Sequence, residues 1–114
     1  MSDTPFVDSS AAPWTRLADG IERQVLSYGP DLMVVRVRFE AGAVGAIHHH
    51  VHRQATYVAS GSFDVTVGES KATLSEGDTF FAAEDIPHGV KALEKGMLID
   101  CFTPMRADFL GKKP

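Results

Sequence analysis

The sequence predicts an all-β fold in a single domain, with short strands that form a barrel or a sandwich. Apolar and polar residues alternate with period two in several segments, turn-forming residues separate these segments, and only residues 106–110 look helical. Period-two alternation is typical of a strand with one buried face. Many short strands at regular spacing are typical of sandwiches and barrels. A closed barrel is favoured, because closure removes the unpaired edges that short strands would expose.

The predicted strands follow one another from residue 21. Residues 21–28 form the first and end at Gly29-Pro30-Asp31, a strong turn signal. Residues 32–40 alternate most clearly, with Arg36 and Arg38 on the face opposite the apolar residues. The other predicted strands cover residues 55–59, 63–67, 71–74, 79–82, 90–93 and 97–103.

Length and composition indicate one soluble globular domain. The chain has 114 residues, of which 44% are hydrophobic and 23% charged. Residues 1–13 are rich in Ser, Ala, Asp and Pro and are predicted to be a flexible lead-in. The domain is then expected to span residues 14–114.

Charge and cysteine content narrow the class of protein further. The net charge of −4 argues against binding to nucleic acid, although it permits a small anionic ligand. The N-terminus has no basic region before an apolar run, and no segment approaches the ~20 apolar residues of a membrane helix. Cys101 is the single cysteine, so no intrachain disulfide can form. A cytoplasmic protein with no membrane partner is therefore expected.

The run His48-His49-His50 is a candidate metal site. In an extended segment, alternate residues point the same way, so His48 and His50 face together while His49 faces away. If the strand persists, Gln54 lies on the same side. His52 shares that parity, so a bend or bulge is needed to keep it out of the site. The alternative is a cluster of solvated loop histidines.

The spacing around this run forms a two-motif pattern. A glycine, the His-x-His pair, a fourth ligand and a second glycine are followed later by Gly-Asp and Pro-His. These residues are Gly42, His48, His50, Gln54, Gly61, Gly77, Asp78, Pro87 and His88. The pattern resembles that of the cupin superfamily over roughly residues 20–104. The resemblance implies a double-stranded β-helix, or jelly-roll barrel, with a metal site.

Gln54 stands where cupins commonly have a glutamate ligand. Three neutral imidazoles and one amide would leave the charge of a divalent metal uncompensated. Such a site would attract an anionic substrate and act as a Lewis acid. Imidazole and amide donors suit Ni, Zn, Fe, Co or Mn, and the order of affinities does not choose among them.

The last predicted strand carries a candidate general acid or base. Leu98, Asp100 and Phe102 share one face of it. If that face points into the barrel, Asp100 lies in an apolar space that would raise the pKa of its carboxyl, whereas a nearby cation would lower this pKa. Proton transfer is the functional interpretation. The alternatives are an Asp that pairs structurally with an Arg and one that faces solvent.

Arg106, just beyond that strand, is either a partner for a substrate carboxylate or a solvated surface residue. Four stretches resemble small bacterial cupins of pectin and alginate breakdown, which linearise 4,5-unsaturated uronic acids. They are residues 21–28, 42–50, 87–93 and 98–110. The chain departs from this resemblance at Val51 and Arg53, where Pro and Glu are expected.

The resemblance implies a metal-dependent enzyme that opens the ring of an unsaturated uronate. The metal ligands it implies are His48, His50, Gln54 and His88. In this interpretation Asp100 delivers a proton to carbon 4, Arg106 holds the substrate carboxylate and Phe102 packs against the sugar. A homodimer is expected, as is usual for small cupins. The alternatives are another cupin enzyme, such as an iron dioxygenase or a sugar isomerase, and a non-catalytic binding or sensor module.

Overall fold

The computed structural model describes residues 4–111, which form ten strands and one 3₁₀ helix. Residues 1–3 of the predicted lead-in and residues 112–114 of the predicted domain lie outside the described residues. The strands are β1 (Trp14–Ala18), β2 (Ile21–Gly29), β3 (Leu32–Phe39), β4 (Val44–His48), β5 (Arg53–Ser60), β6 (Ser62–Val67), β7 (Ser70–Ser75), β8 (Thr79–Ala82), β9 (His88–Ala92) and β10 (Gly96–Thr103), and the 3₁₀ helix is Ala107–Leu110. Between residues 4 and 111, no helix is long and apolar enough to cross a membrane.

The strands form two antiparallel sheets. The six-stranded sheet has the order β1-β2-β3-β10-β5-β8, and the four-stranded sheet has the order β4-β9-β6-β7. Strand β10 therefore lies inside the larger sheet, between β3 and β5. This arrangement confirms the predicted all-β fold class.

The hydrophobic core lies between the sheets, and the alternation along β3 explains one of its walls. Met33, Val35, Val37 and Phe39 are all buried. Phe39 meets Phe63 of β6 edge-on, with ring centroids 5.2 Å apart, so the two sheets touch directly. The four β3 residues are buried together because every second side chain of a strand points to the same face.

Local structure differs from the sequence prediction by two strands that were not predicted, β1 and β4. The strand does not persist from His48 to Gln54, because β4 ends at His48 and β5 begins only at Arg53, and a bend of the kind needed to keep His52 out of the site lies between them. The backbone N–H of Asp85 donates to the carbonyl of His50 at 2.8 Å and holds the connecting bend. The predicted helical turn lies at Ala107–Leu110 as a 3₁₀ helix.

Part of the predicted lead-in contacts the outer face of the larger sheet. The side-chain amide of Gln24 donates to the carbonyls of Ser9 and Ala12, at 2.6 and 2.9 Å. Arg36 donates to the other end of the same amide, so the fully buried Gln24 has partners on both sides. The domain boundary at residue 14 stays a prediction, although β1 begins at Trp14.

Replacement of Gly96 by alanine is expected to destabilise the fold. A Cβ at this position would lie 2.6 Å from the carbonyl oxygen of Ser60 and 2.9 Å from the ring of Phe63. Neither can move freely, because the first belongs to the paired backbone and the second to the core. Gly96→Ala should lower the free energy of unfolding by about 1–3 kcal/mol in denaturant titrations. In Gly29→Ala the added atom meets nothing within 4 Å, so this control should stay within about 0.5 kcal/mol of wild type. Equal unfolding midpoints for the two variants would contradict the expectation.

Candidate metal centre

Three strands and one bend bring the predicted metal ligands together. Strand β4 ends at His48, which lies opposite His88 at the start of β9. His50 lies in the bend that follows β4. Gln54 is the second residue of β5 and lies opposite Phe102 of β10. The site therefore spans the gap between the two sheets.

The donor atoms of these four residues converge. One ring nitrogen from each of His48, His50 and His88 lies within 4.8 Å of the other two. The Oε1 atom of Gln54 lies 3.1 Å from Nε2 of His50 and 3.2 Å from Nε2 of His88. The structure thus brings together the four residues that the sequence analysis names as ligands.

Backbone carbonyls fix the tautomer of each histidine. The Nδ1 atom of each of the three rings lies at hydrogen-bond distance from a carbonyl oxygen two residues away. The acceptors for His48, His50 and His88 are the carbonyls of Ala46, His52 and Ile86, at 2.9, 2.8 and 2.9 Å. A carbonyl can only accept, so Nδ1 carries the proton and Nε2 keeps its lone pair for a ligand.

The donor set fits a divalent cation. Burial lowers the pKa of His50 and of His88, and the charge of Arg106 lowers both further, which favours the neutral rings that bind metal. The Nε2 lone pairs then face the Oε1 lone pairs of Gln54 with no hydrogen between them. Such an arrangement is repulsive without a cation and favourable around one. Imidazole nitrogens with an amide oxygen suit a transition metal.

The remaining histidines of the run lie outside the cluster. His49 is exposed, and its Nδ1 lies 3.6 Å from a carboxylate oxygen of Asp85, as expected for a side chain that points away. His52 is buried but does not belong to the converging group, and its ring centroid is 5.6 Å from that of His50. The bend after β4 is what separates it from the ligands.

Asp100 points into the interior next to the candidate metal ligands. The hydroxyl of Thr56 donates to its Oδ1 at 2.6 Å, and the amide of Gln54 donates to the same atom at 3.3 Å. Burial raises the pKa of Asp100 to about 6, although both hydrogen bonds act to lower it. Within residues 4–111 the carboxyl has no ion pair with an arginine. The two structural alternatives from the sequence analysis, a paired Asp and a solvent-facing Asp, therefore do not describe it.

Phe102 and Arg106 also lie at the site. Phe102 is buried, with its ring edge-on to His50 at a centroid distance of 5.8 Å. The side chain of Arg106 is only 14% exposed. Its guanidinium donates twice to Asp108, at 3.1 and 2.9 Å, and lies 4.2 Å from the ring centre of Phe109. Arg106 is therefore not the solvated surface residue of the alternative interpretation.

A cavity of about 280 Å³ joins these groups. Its wall includes three of the candidate ligands together with Asp100, Phe102 and Arg106. The ligands concerned are His48, Gln54 and His88. Much of the remaining lining is apolar, with Ile21, Val37 and Leu98 among the side chains. A mainly apolar space with a few convergent polar groups is the usual form of a small-molecule site.

Comparison with known proteins identifies the family. The cupin domain model matches residues 35–99. The chain is 47% identical over 107 residues to the pectin degradation protein KdgF of Dickeya dadantii (strain 3937), with 92% of this chain and 96% of that protein covered. The chain belongs to the KdgF-type cupins.

Two solved structures agree with this assignment. KdgF from a Halomonas species is 40% identical, with a TM-score of 0.87 over 91% of this chain and 98% of the other. An RmlC-like cupin from Shewanella frigidimarina NCIMB 400 is 36% identical, with a TM-score of 0.89 over 94% of this chain and 96% of the other. The predicted cupin fold is thereby confirmed.

Arg23 and Phe109 are among the cavity residues of this KdgF-type cupin that were not predicted from the sequence. Arg23 lies on the inward face of β2, two residues after Ile21, and Phe109 comes from the 3₁₀ helix. Alternation along β2 was a usable signal for Arg23, because it assigns Ile21 and Arg23 to one face. By contrast, Arg53 pairs with Glu84 at 2.7 Å on the exposed surface and does not contribute to the cavity wall.

Loss of one ligand is expected to remove the metal response. His48 is exposed, so His48→Ala should fold, yet it removes one of the convergent nitrogens. Divalent metal at a hundred times its dissociation constant should stabilise wild type by about 2.7 kcal/mol and stabilise this variant far less. Thermal unfolding with and without metal, together with elemental analysis, measures both effects. His49→Ala is the matched control and should keep the metal. Equal metal content in the two variants would contradict the assignment.

Proposed function

We propose that this KdgF-type cupin is a metal-dependent enzyme that opens the ring of 4,5-unsaturated uronic acid monosaccharides from pectin and alginate. The observation that carries the proposal is that the buried carboxyl of Asp100 shares one cavity with the converging ligands and with positively charged side chains. Similarity to a protein named for pectin degradation supports this class of substrate.

The proposed reaction is an isomerisation that consumes neither water nor oxidant. The hemiacetal hydroxyl at carbon 1 loses its proton, the bond from carbon 1 to the ring oxygen breaks, and its electron pair stays on that oxygen. The oxygen then takes up a proton, which gives an aldehyde at carbon 1 and an enol at carbon 5. Carbon 4 then takes a proton while the enol loses its own, and the product is the linear 5-keto-4-deoxyuronate.

The chemistry requires a Lewis acid and a proton donor in one site. A divalent metal bound by His48, His50, Gln54 and His88 would supply the Lewis acidity by polarising substrate oxygens. The Nδ1 hydrogen bonds orient the rings for that role, and Gln54 contributes no negative charge. An anionic substrate therefore gains more from this site than it would from one with a glutamate.

Asp100 is the proposed proton donor to carbon 4. The two side-chain hydrogen bonds to its carboxyl from described residues both go to Oδ1, so Oδ2 is the oxygen that carries the transferable proton. A pKa of about 6 lies close to neutral pH, where a group can both give and regain a proton. Thr56 and Gln54 hold the carboxyl in one orientation during this exchange.

The rest of the cavity would hold the sugar. Phe102 offers an apolar ring beside the ligands, against which a sugar face can pack. The substrate carboxylate goes to the positively charged end of the cavity, where Arg106 lies. We also infer a cytoplasmic homodimer that acts on a small anionic sugar, because the chain has a single cysteine and small cupins are usually dimers.

The purified protein should accelerate ring opening of unsaturated galacturonate. Opening removes the conjugated enol ether, so its ultraviolet absorbance should fall faster than in the spontaneous reaction, and chelation of the metal should slow the fall. Absence of acceleration with each of Ni, Zn, Fe, Co and Mn would refute the proposal. Consumption of oxygen would instead support a dioxygenase.

Replacement of Asp100 by asparagine should abolish turnover without loss of metal. The asparagine oxygen can still accept the hydrogen bonds from Thr56 and Gln54, but the side chain has no acidic proton. We expect kcat to fall by about 10²–10⁴-fold, the usual contribution of a general acid. Asp64→Asn is the control, because Asp64 lies on the exposed surface with Thr73 as its partner. If Asp100→Asn keeps wild-type kcat, another group delivers the proton.

A further inference from the structure

Two arginines share one aromatic ring at the wall of the cavity. The guanidinium carbon of Arg23 lies 3.7 Å from the ring centre of Phe109, and that of Arg106 lies 4.2 Å from it. Both arginines line the cavity that contains Asp100 and the metal ligands. They reach it from different elements, since Arg23 belongs to β2 and Arg106 precedes the 3₁₀ helix.

The charges of the two arginines are compensated differently. The guanidinium of Arg106 donates twice to the carboxylate of Asp108. The side chain of Arg23 makes no hydrogen bond or ion pair with any residue between 4 and 111. Burial lowers the pKa of Arg23 and repulsion from Arg106 lowers it further, while the carboxylate of Asp108, which accepts no hydrogen bond from Arg23, opposes this shift. Arg23 is therefore a partly buried cation beside a second cation, an arrangement that an incoming anion would stabilise.

We propose that Arg23 is the residue that binds the substrate carboxylate and that makes the enzyme select uronates over neutral sugars. The identity of the sugar rests on the proposed function, whereas the preference for a carboxylate rests on the cavity. A guanidinium stacked on a ring keeps its N–H groups free in its own plane, which suits bidentate binding of a carboxylate. Arg106, already paired with Asp108, holds the Phe109 ring against which Arg23 stacks.

The first test compares affinity for a charged sugar and a neutral one without turnover. Calorimetry with metal-loaded protein should detect tighter binding of saturated galacturonate than of galactose. Arg23→Gln should weaken binding of galacturonate by about ten- to a hundredfold, the range for lost charge-assisted hydrogen bonds, and leave galactose unchanged. The affinity of Arg23→Lys for galacturonate should lie between those of wild type and Arg23→Gln, because lysine keeps the positive charge but lacks the planar guanidinium.

Two control variants separate a specific role from a general loss of charge. Arg38 stacks on Trp14 at 3.8 Å and pairs with Glu22 on the outer face of the same sheet, so Arg38→Gln removes a guanidinium charge and a stacking contact away from the cavity. It should bind galacturonate like wild type. Arg106→Gln should weaken galacturonate less than Arg23→Gln does. Metal content and circular dichroism report whether each variant is folded.

A second test uses the reaction itself. With unsaturated galacturonate, Arg23→Gln should raise KM by about ten- to a hundredfold with little change in kcat. With the methyl ester of the same sugar, which carries no charge, the variant and wild type should share one KM. A change in KM for the charged sugar alone indicates loss of carboxylate binding. A structural defect would alter the turnover of both substrates.

The outcomes distinguish the two proposals. If wild type opens no ring but binds galacturonate through Arg23, the proposed function fails and the role of Arg23 stands. If wild type opens the ring and Arg23→Gln keeps wild-type affinity for galacturonate, the role of Arg23 fails and the proposed function stands. Wild-type protein that binds galacturonate no better than galactose would also overturn the role of Arg23. The role of Arg23 would likewise be overturned if Arg106→Gln lost affinity for galacturonate and Arg23→Gln did not.

Discussion

The register between β5 and β10 is the constraint on which both the core and the candidate site depend. It puts Asp100 opposite Thr56 and Phe102 opposite Gln54. Because side chains alternate along a strand, a slip of one residue would turn all of these groups away from the interior. The same register buries Val58 and Leu98 in the core. The packing that stabilises the domain therefore also sets the distance between the carboxyl and the candidate metal ligands.

The buried polar groups of Gln54, Thr56 and Asp100 are tolerated because each has a partner. Gln54 donates to Thr56 and to Asp100, and Thr56 donates to Asp100. A buried polar group without such partners would be costly. The network also fixes which end of the Gln54 amide faces the imidazoles, since its N–H groups are engaged on the other side. One set of hydrogen bonds thus orients both the candidate proton donor and the candidate ligands.

Sequence reasoning succeeded where the determinant is local and failed where it is a distant contact. Alternation along the last strand predicted that Leu98, Asp100 and Phe102 share one face. The motif spacing predicted that His88 and His48 belong to one site. The bend after His48 could not be read from its own residues, because a hydrogen bond from Asp85 holds it. The stacking of Arg23 on Phe109 could not be predicted either, since these residues are far apart in the chain and meet only in the folded barrel.

Backbone carbonyls fix the three histidine tautomers, whereas side chains form most of the rest of the cavity wall. Since main-chain carbonyls orient the rings, we expect exchange of neighbouring side chains to leave each Nε2 lone pair in place. The rest of the cavity wall comes largely from other side chains, including those of β2 and of the 3₁₀ helix. Such a division favours evolutionary change, because the wall can diverge toward new ligands while the arrangement of the candidate metal ligands is inherited intact.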